Sequence, residues 1–440
     1  MKSTLLKNCR IVENNKLISC HLFLEGEKIG HISDDPITAD EVIDIKGKIV
    51  IPGMIDCHVH CREPGNPQKE DYLTISRAAA KGGITTFLDM PNNTPPTTTV
   101  ERLEEKRVLA KKSLVDYGFH FGADGKNEQE IKNAKNIASV KLYLDLTTGG
   151  LKLDDFSSVE RILNIAPFCA VHAEQENLTN VISLASGLKK KVYACHISTA
   201  AEIQEIRKNR KSVFAEVAPH HLFLTEDDAA SLGMLGHVRP ALKTKADQEA
   251  LWNAIAGGLV DTIATDHAPH LKEEKMEKEI YGFPGLETVI PLLLHAVNEK
   301  RLTLQDVVVL TSRNPAKVFG IHNKGQLKEG FDADLAVIDL DLEKEVRGTC
   351  LLTKCAWSPF EGKVLKGWPV ATFIRGTLVY RDGNFFPHQG KEITIIARRP
   401  QPPTREQNLI PENPEGENSP SLQREKEGSL SLQQEEENNG

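Results

Sequence analysis

The sequence predicts an α/β protein: a (β/α)8, TIM-type barrel carrying a small β-sandwich domain built from both ends of the chain. Three observations lead there. Eight strand-like segments alternate with helical patterns through the centre of the 440 residues, two β-rich stretches flank that centre, and metal-competent side chains recur where the central strands end. Alternating strand and helix signals mean parallel strands joined by crossover helices, and eight such units are the number that closes a barrel.

Residues 1–52 alternate short apolar runs with turn residues, as in Leu17-Ile18-Ser19-Cys20 and His21-Leu22-Phe23-Leu24 ahead of Glu25-Gly26-Glu27. That is the pattern of a strand meander. The same texture returns at 326–396, in Asp334-Leu335-Ala336-Val337-Ile338-Asp339 and Ala371-Thr372-Phe373-Ile374. The two stretches are therefore expected to form one composite β-domain. Between them, 53–325 reads as the barrel. Its strand-like segments are 49–58, 84–91, 116–123, 139–145, 168–174, 191–198, 213–221 and 262–268, and helical patterns cover 99–113, 200–210 and 245–256. No Gly-x-Gly-x-x-Gly follows the first strand, which argues against a dinucleotide-binding sheet.

Residues 397–440 form an acidic tail. From Gln401 onward it holds nine glutamates against three basic residues, no aromatic residue, and an imperfect repeat at 419–423 and 429–433. Such a segment buries too little apolar surface to fold alone and is expected to be disordered.

Composition narrows the class. The chain is 40% apolar and 26% charged, as in a globular protein, and its net charge of −8 without a basic stripe argues against a nucleic-acid partner. Eight scattered cysteines with no Cys-x-x-Cys pair, and no secretory leader in the sequence given, point to free thiols and a cytoplasmic location. No apolar run approaches the roughly 20 residues of a membrane span.

The chemistry gathers at the strand ends. Asp56-Cys57-His58-Val59-His60-Cys61-Arg62 closes the first apolar run. Alternation along a strand puts His58, His60 and Arg62 on one face and Cys57, Val59 and Cys61 on the other. Two imidazoles so placed can grip one metal ion, and the arginine lies within reach of an anionic substrate. The other strands end in Asp89-Met90-Pro91-Asn92, His172-Ala173-Glu174, Cys195-His196, Glu216 with His220-His221, and Asp266-His267-Ala268-Pro269-His270, while Lys141 lies inside an apolar strand. Buried polar groups are costly unless paired, so packing alone does not explain so many together.

His58-x-His60, Lys141, His172, His196 and Asp266 resemble the binuclear metal pattern of the amidohydrolase superfamily. Asp56–Gly65, Met90–Asn92, Glu216–Leu222, Ala264–His270 and Gly282–Glu287 resemble the dihydroorotase family, and the similarity spans about residues 1–390. The resemblance implies two Zn2+ per chain: His58, His60 and Asp266 on one, His172 and His196 on the other, bridged by an N6-carboxylated Lys141. Asp145, four residues beyond Lys141, is the alternative bridge. It implies that Asp266 moves the catalytic proton, and that Arg62, Asn92 and His270 clamp a substrate carboxylate, with Arg239 and the backbone of Pro284 and Gly285 completing the pocket. The activity implied is zinc-dependent cyclisation of N-carbamoyl-L-aspartate to dihydroorotate in pyrimidine biosynthesis. A homodimer and a complex with aspartate transcarbamoylase are the assemblies implied.

Two other readings have distinct signatures. An allantoinase or hydantoinase acts on rings without the carboxylate, so Arg62 and Asn92 weigh against it. A non-catalytic barrel partnering aspartate transcarbamoylase would lack metal ligands, and none is missing. Cys195 and Glu216 mark a third metal position, although strand alternation turns Cys195 away from His196, which favours packing. His220 and His221 are expected to line the site.

Overall fold

The computed structural model describes residues 2–146 and 150–396; the predicted disordered tail lies outside the described residues. Strands Ser3–Glu13, Lys16–Glu25, Lys28–Ser33, Glu41–Asp44 and Ile49–Pro52 share a nine-stranded sheet with Leu335–Glu345, Val364–Ile374, Thr377–Arg381 and Asn384–Phe385. The two ends of the chain meet at Ile49–Pro52, which runs parallel to Ser3–Glu13 and antiparallel to Leu335–Glu345. Leu6, Leu22, Ile29, Val50, Leu335 and Phe373 give this sheet an apolar core of its own. The flank strands form this one hydrogen-bonded sheet; no second sheet of flank strands is present among the described residues.

The expected first strand, 49–58, is two strands broken at Gly53. Ile49–Pro52 belongs to the nine-stranded sheet and Met54–Val59 to the barrel. A Cβ at Gly53 would lie 2.2 Å from the Thr85 side chain, so a residue without one lets the chain pass this close to its neighbour.

Eight parallel strands then close a ring: Met54–Val59, Ile84–Asp89, Asp116–Phe119 continuing as Phe121–Gly122, Val140–Tyr143, Cys169–His172, Val192–Ala194, Val213–Val217 and Thr262–Ile263. Closure comes beyond the last strand, where Val59 bridges His267 and the His60 N–H donates to the His267 carbonyl at 2.8 Å. Seven of the eight strands fall within the predicted segments but are shorter, because pairing stops where the chain peels away; the first runs one residue past its segment, to Val59. Helix Val100–Ala110 starts at Thr99, whose side chain accepts from the Arg102 N–H, and Thr199 and Glu202 make a capping box for Ala200–Lys208. Helix Lys245–Ala256 has the predicted bounds. Ile75, Leu103, Ile162, Ile182, Ile203 and Leu293 are buried in the large apolar cluster that packs helices on strands. No helix among the described residues is long and apolar enough to cross a membrane.

Candidate active site

The ends of the barrel strands bring the predicted histidines together, and they do so by leaving regular strand geometry. Pairing along Met54–Val59 shifts register between Asp56 and Val59, the mark of a bulge. Simple alternation therefore fails here: Cys57 packs with Ile55, Leu88, Tyr193 and Cys195, apart from Val59 and Cys61. His196 and Asp266 have φ of 36° and 47°. Such left-handed backbone is rare outside glycine and recurs at functional sites.

An open cavity is lined by His58, His60, Arg62, Asn92, Lys141, Tyr143, His172, His196, Arg239, Tyr281 and Gly282, together with Asp266 and Ala268. His58 and His60 both aim Nε2 at Oδ1 of Asp266, at 3.2 and 3.0 Å. Their other nitrogens are engaged: Nδ1 of His58 meets Glu216 at 2.8 Å, and Nδ1 of His60 meets the Asn92 side-chain oxygen at 2.6 Å. Those contacts place the Nδ1 protons and leave Nε2 lone pairs facing a carboxylate. A cation between them resolves that opposition. Nδ1 of His172 lies 2.9 Å from Nε2 of His196. The far nitrogens of both rings are buried without a hydrogen-bond partner among the described residues. His58, His196 and Asp266 each offer a ligand atom, all within 4.8 Å of one another, and His58, Cys195 and Glu216 do the same. The donor set fits a metal centre.

Electrostatics agree for His172 and His60, while His58 would release a proton to a bound cation. Burial, with Lys141 nearby, lowers His172 to about 3, and burial lowers His60 to about 4 against the pull of Asp266. Neutral imidazoles are the form that binds metal. Burial also opposes charge on His58, but Glu216 and Asp266 outweigh it and lift the ring to about 10. Burial would raise Asp266, yet His58 and His60 hold it well below the ordinary carboxylate range.

Beside this cluster, Arg62 is 8% exposed. Its Nε donates to the Pro269 carbonyl at 3.0 Å and its Nη2 to Nε2 of His270 at 2.9 Å. Arg239 lines the cavity with its guanidinium 4.0 Å over the Tyr281 ring and donates to the Leu146 carbonyl. It makes no ion pair among the described residues.

Several expectations need correction. Cys195 packs in the apolar cluster with Cys57 and Tyr193, as expected, but it is not turned away altogether: its sulfur accepts from Lys141 Nζ at 2.8 Å, because the strand ends at Ala194 and the backbone then swings through His196. Asp145 is occupied elsewhere, accepting from the Glu174 N–H at 2.7 Å and the Asn177 side chain at 2.8 Å. The strand stops at Tyr143, so 141 and 145 do not share a face. Pro284 and Gly285 line a separate small cavity with His267 and Glu287, and the Gly285 N–H donates to His267; Gly282 takes their place in the main cavity. His220 and His221 are buried but do not line it; His220 packs its ring on Phe283. Glu216 was legible only as a third-metal ligand, whereas its carboxylate also receives the His196 N–H at 2.8 Å and the Tyr193 hydroxyl at 2.7 Å. Tyr143 and Tyr281 escaped notice, although Tyr143 stands two residues beyond Lys141 on the same strand.

A parallel barrel with such a cluster at its C-terminal strand ends has the layout of an enzyme with a candidate metal centre. Residues 49–379 match the amidohydrolase family, and the chain belongs to it, among sequences named dihydroorotase. It is 36% identical to the dihydroorotase of Methanosarcina mazei, over 88% of this chain and 96% of that protein. It is also 36% identical to part of the multifunctional protein CAD of Squalus acanthias, over 87% of this chain and 17% of that protein. Among solved structures, the L-hydantoinase (dihydropyrimidinase) of Arthrobacter aurescens superposes with a TM-score of 0.85 at 28% identity, covering 90% of this chain and all of that one.

Proposed function

We propose that the protein is a dihydroorotase, interconverting N-carbamoyl-L-aspartate and L-dihydroorotate plus water in pyrimidine (UMP) biosynthesis. The carrying observation is that Arg62, with His270 behind it, faces the same cavity as the His58–His60–Asp266 cluster. A hydrolase for cyclic amides needs the cluster; only one whose substrate bears a carboxylate needs the buried guanidinium. A hydantoinase reading has the structural neighbour in its favour but leaves Arg62 without a purpose.

His58, His60 and Asp266 would hold one Zn2+, and His172 and His196 a second. Lys141 carries no carboxylate partner within ion-pair distance among the described residues, and a buried amine of that kind is the one open to carboxylation as the bridge. Bound metal supplies Lewis acidity and lowers the pKa of water. Arg62, Asn92 and His270 fix the substrate through its carboxylate, with Arg239 at the rim. Oδ1 of Asp266 takes a proton from the attacking water and returns it to the departing ring nitrogen. In the biosynthetic direction the same carboxylate accepts the proton of the attacking amide. The same reading takes 53–325 as the catalytic barrel and 1–52 with 326–396 as a composite β-domain. It places the protein in the cytoplasm as a homodimer, with aspartate transcarbamoylase as the partner to test, in keeping with the multifunctional relative.

The test is one zinc-loaded preparation assayed on carbamoyl-aspartate, allantoin and dihydrouracil, with metal analysis. Turnover of carbamoyl-aspartate with close to two zinc ions per chain is expected. Preference for a carboxylate-free ring, or full activity without metal, overturns the reading.

A further inference from the structure

Tyr143 ends the fourth barrel strand, in register with His172 on the fifth. Its ring lines the cavity, 6.1 Å from the His172 ring, and Lys141 Nζ lies 5.3 Å from its centroid. The residue is 2% exposed, and its hydroxyl has no hydrogen-bond partner among the described residues. A buried, unpaired hydroxyl is costly, and natural folds rarely leave one without a use. Here the space beside it is the cavity that receives substrate.

Resting on the dihydroorotase reading, we propose that the Tyr143 hydroxyl is a catalytic residue that donates a hydrogen bond to the oxygen on the reacting carbon of the substrate. Placement selects that oxygen. Arg62, Asn92 and His270 follow the first, second and eighth strands and take the carboxylate. Tyr143 stands on the fourth, among Lys141 and His172 on the metal-ligand side. A phenol keeps its proton at neutral pH, so the hydroxyl acts as a donor. As the water oxygen adds to the carbon, the carbonyl π electrons move onto its oxygen, and the phenol meets that growing charge without giving up its proton. The C–N bond then breaks as the carbonyl re-forms, and the proton held by Asp266 goes to nitrogen.

The experiment compares Tyr143→Phe with wild type in kcat, KM, zinc content and Tm. Loss of one hydrogen bond to a charged oxygen lowers kcat by about 10- to 100-fold with little change in KM. Zinc content stays unchanged and Tm does not fall, because the hydroxyl leaves no partner behind. Wild-type kcat in the variant overturns the proposal, and so does lost activity accompanied by lost zinc or lowered Tm. Should wild type prefer allantoin or dihydrouracil, the dihydroorotase reading fails on its own, and the same comparison on that substrate decides Tyr143.

Discussion

Replacing Arg62 with Met tests whether the cavity is built around a carboxylate. Arg62 spends Nε on Pro269 and one Nη2 proton on His270, which leaves Nη1 and the second Nη2 proton for a ligand. Each hydrogen bond to a charged group contributes about 1.5–3 kcal/mol, so two together are worth about 3–6 kcal/mol. At 1.4 kcal/mol per factor of ten, kcat/KM for carbamoyl-aspartate should fall by about 10²- to 10⁴-fold. Met keeps the apolar length of the stem, and Arg62 touches no proposed zinc ligand by hydrogen bond or ion pair among the described residues, so zinc content should not change. Arg62→Lys restores the charge without the planar fork and should recover only part of the loss. Steady-state kinetics and metal analysis on the three proteins decide the matter. A kcat/KM within about threefold of wild type refutes the clamp, and loss of zinc makes Arg62 structural.

Three more outcomes follow from buried charges. Glu216→Gln weakens the support of His58 and of the His196 backbone, so zinc affinity measured by chelator competition should drop about 10- to 100-fold, as for other carboxylates behind a ligating histidine; unchanged affinity would show that Glu216 does not set the ring. Lys106→Met strands the Asp89 carboxylate, paired at 2.7 Å with neither side chain exposed. A loss of about 3–5 kcal/mol should appear as lowered Tm, partly recovered by adding Asp89→Asn; equal Tm in all three contradicts this. Burial lowers Lys275 to about 7, with Nζ donating to the His237 and Gly282 carbonyls at 2.7 and 2.8 Å. Between about pH 7 and the unfolded value near 10.4 the unfolded chain binds the extra proton, so this group's contribution to stability rises with pH and is lost as pH falls toward 7. The stability gap between wild type and Lys275→Met should shift in favour of wild type from about pH 7 to about pH 9, by at most about 1.4 kcal/mol per pH unit; a shift the other way refutes it.

The barrel was legible because its signals are local. Apolar runs, caps such as Thr99 and Thr199, and turn residues at regular spacing report on strands and helices without reference to anything distant. The histidines were legible because strand ends converge in this architecture whatever their exact geometry. What failed depended on departures from ideal strands. The bulge near Cys57 and the left-handed turn at His196 re-aim side chains by whole faces, and neither leaves a mark in sequence, since a single His or Asp takes up positive φ only where its surroundings demand it. Gly282 was confused with Pro284 and Gly285 because a loop's path is set by what it packs on. Tyr143 was hidden for another reason: in an apolar strand its ring reads as core, and only a burial map reveals the unpaired hydroxyl.

The cluster and the proposed clamp are one mechanical unit. His60 sits between them, with Nε2 on Asp266 and Nδ1 on Asn92. Asp89 receives the N–H of Cys61, one residue before Arg62, at 2.9 Å, and its partner Lys106 donates to the Met90 carbonyl, two residues before Asn92, at 2.9 Å. A single buried ion pair thus fixes the backbone behind both the guanidinium and the amide. Tyr72 adds its hydroxyl to the same carboxylate at 2.7 Å. Buried pairs of this kind contribute little net stability over apolar packing, but removing one member is costly. Their retention here is explained by geometry: the distance from the reacting carbon to the carboxylate is fixed in the substrate, and the protein must hold two strand ends at the matching separation before substrate arrives.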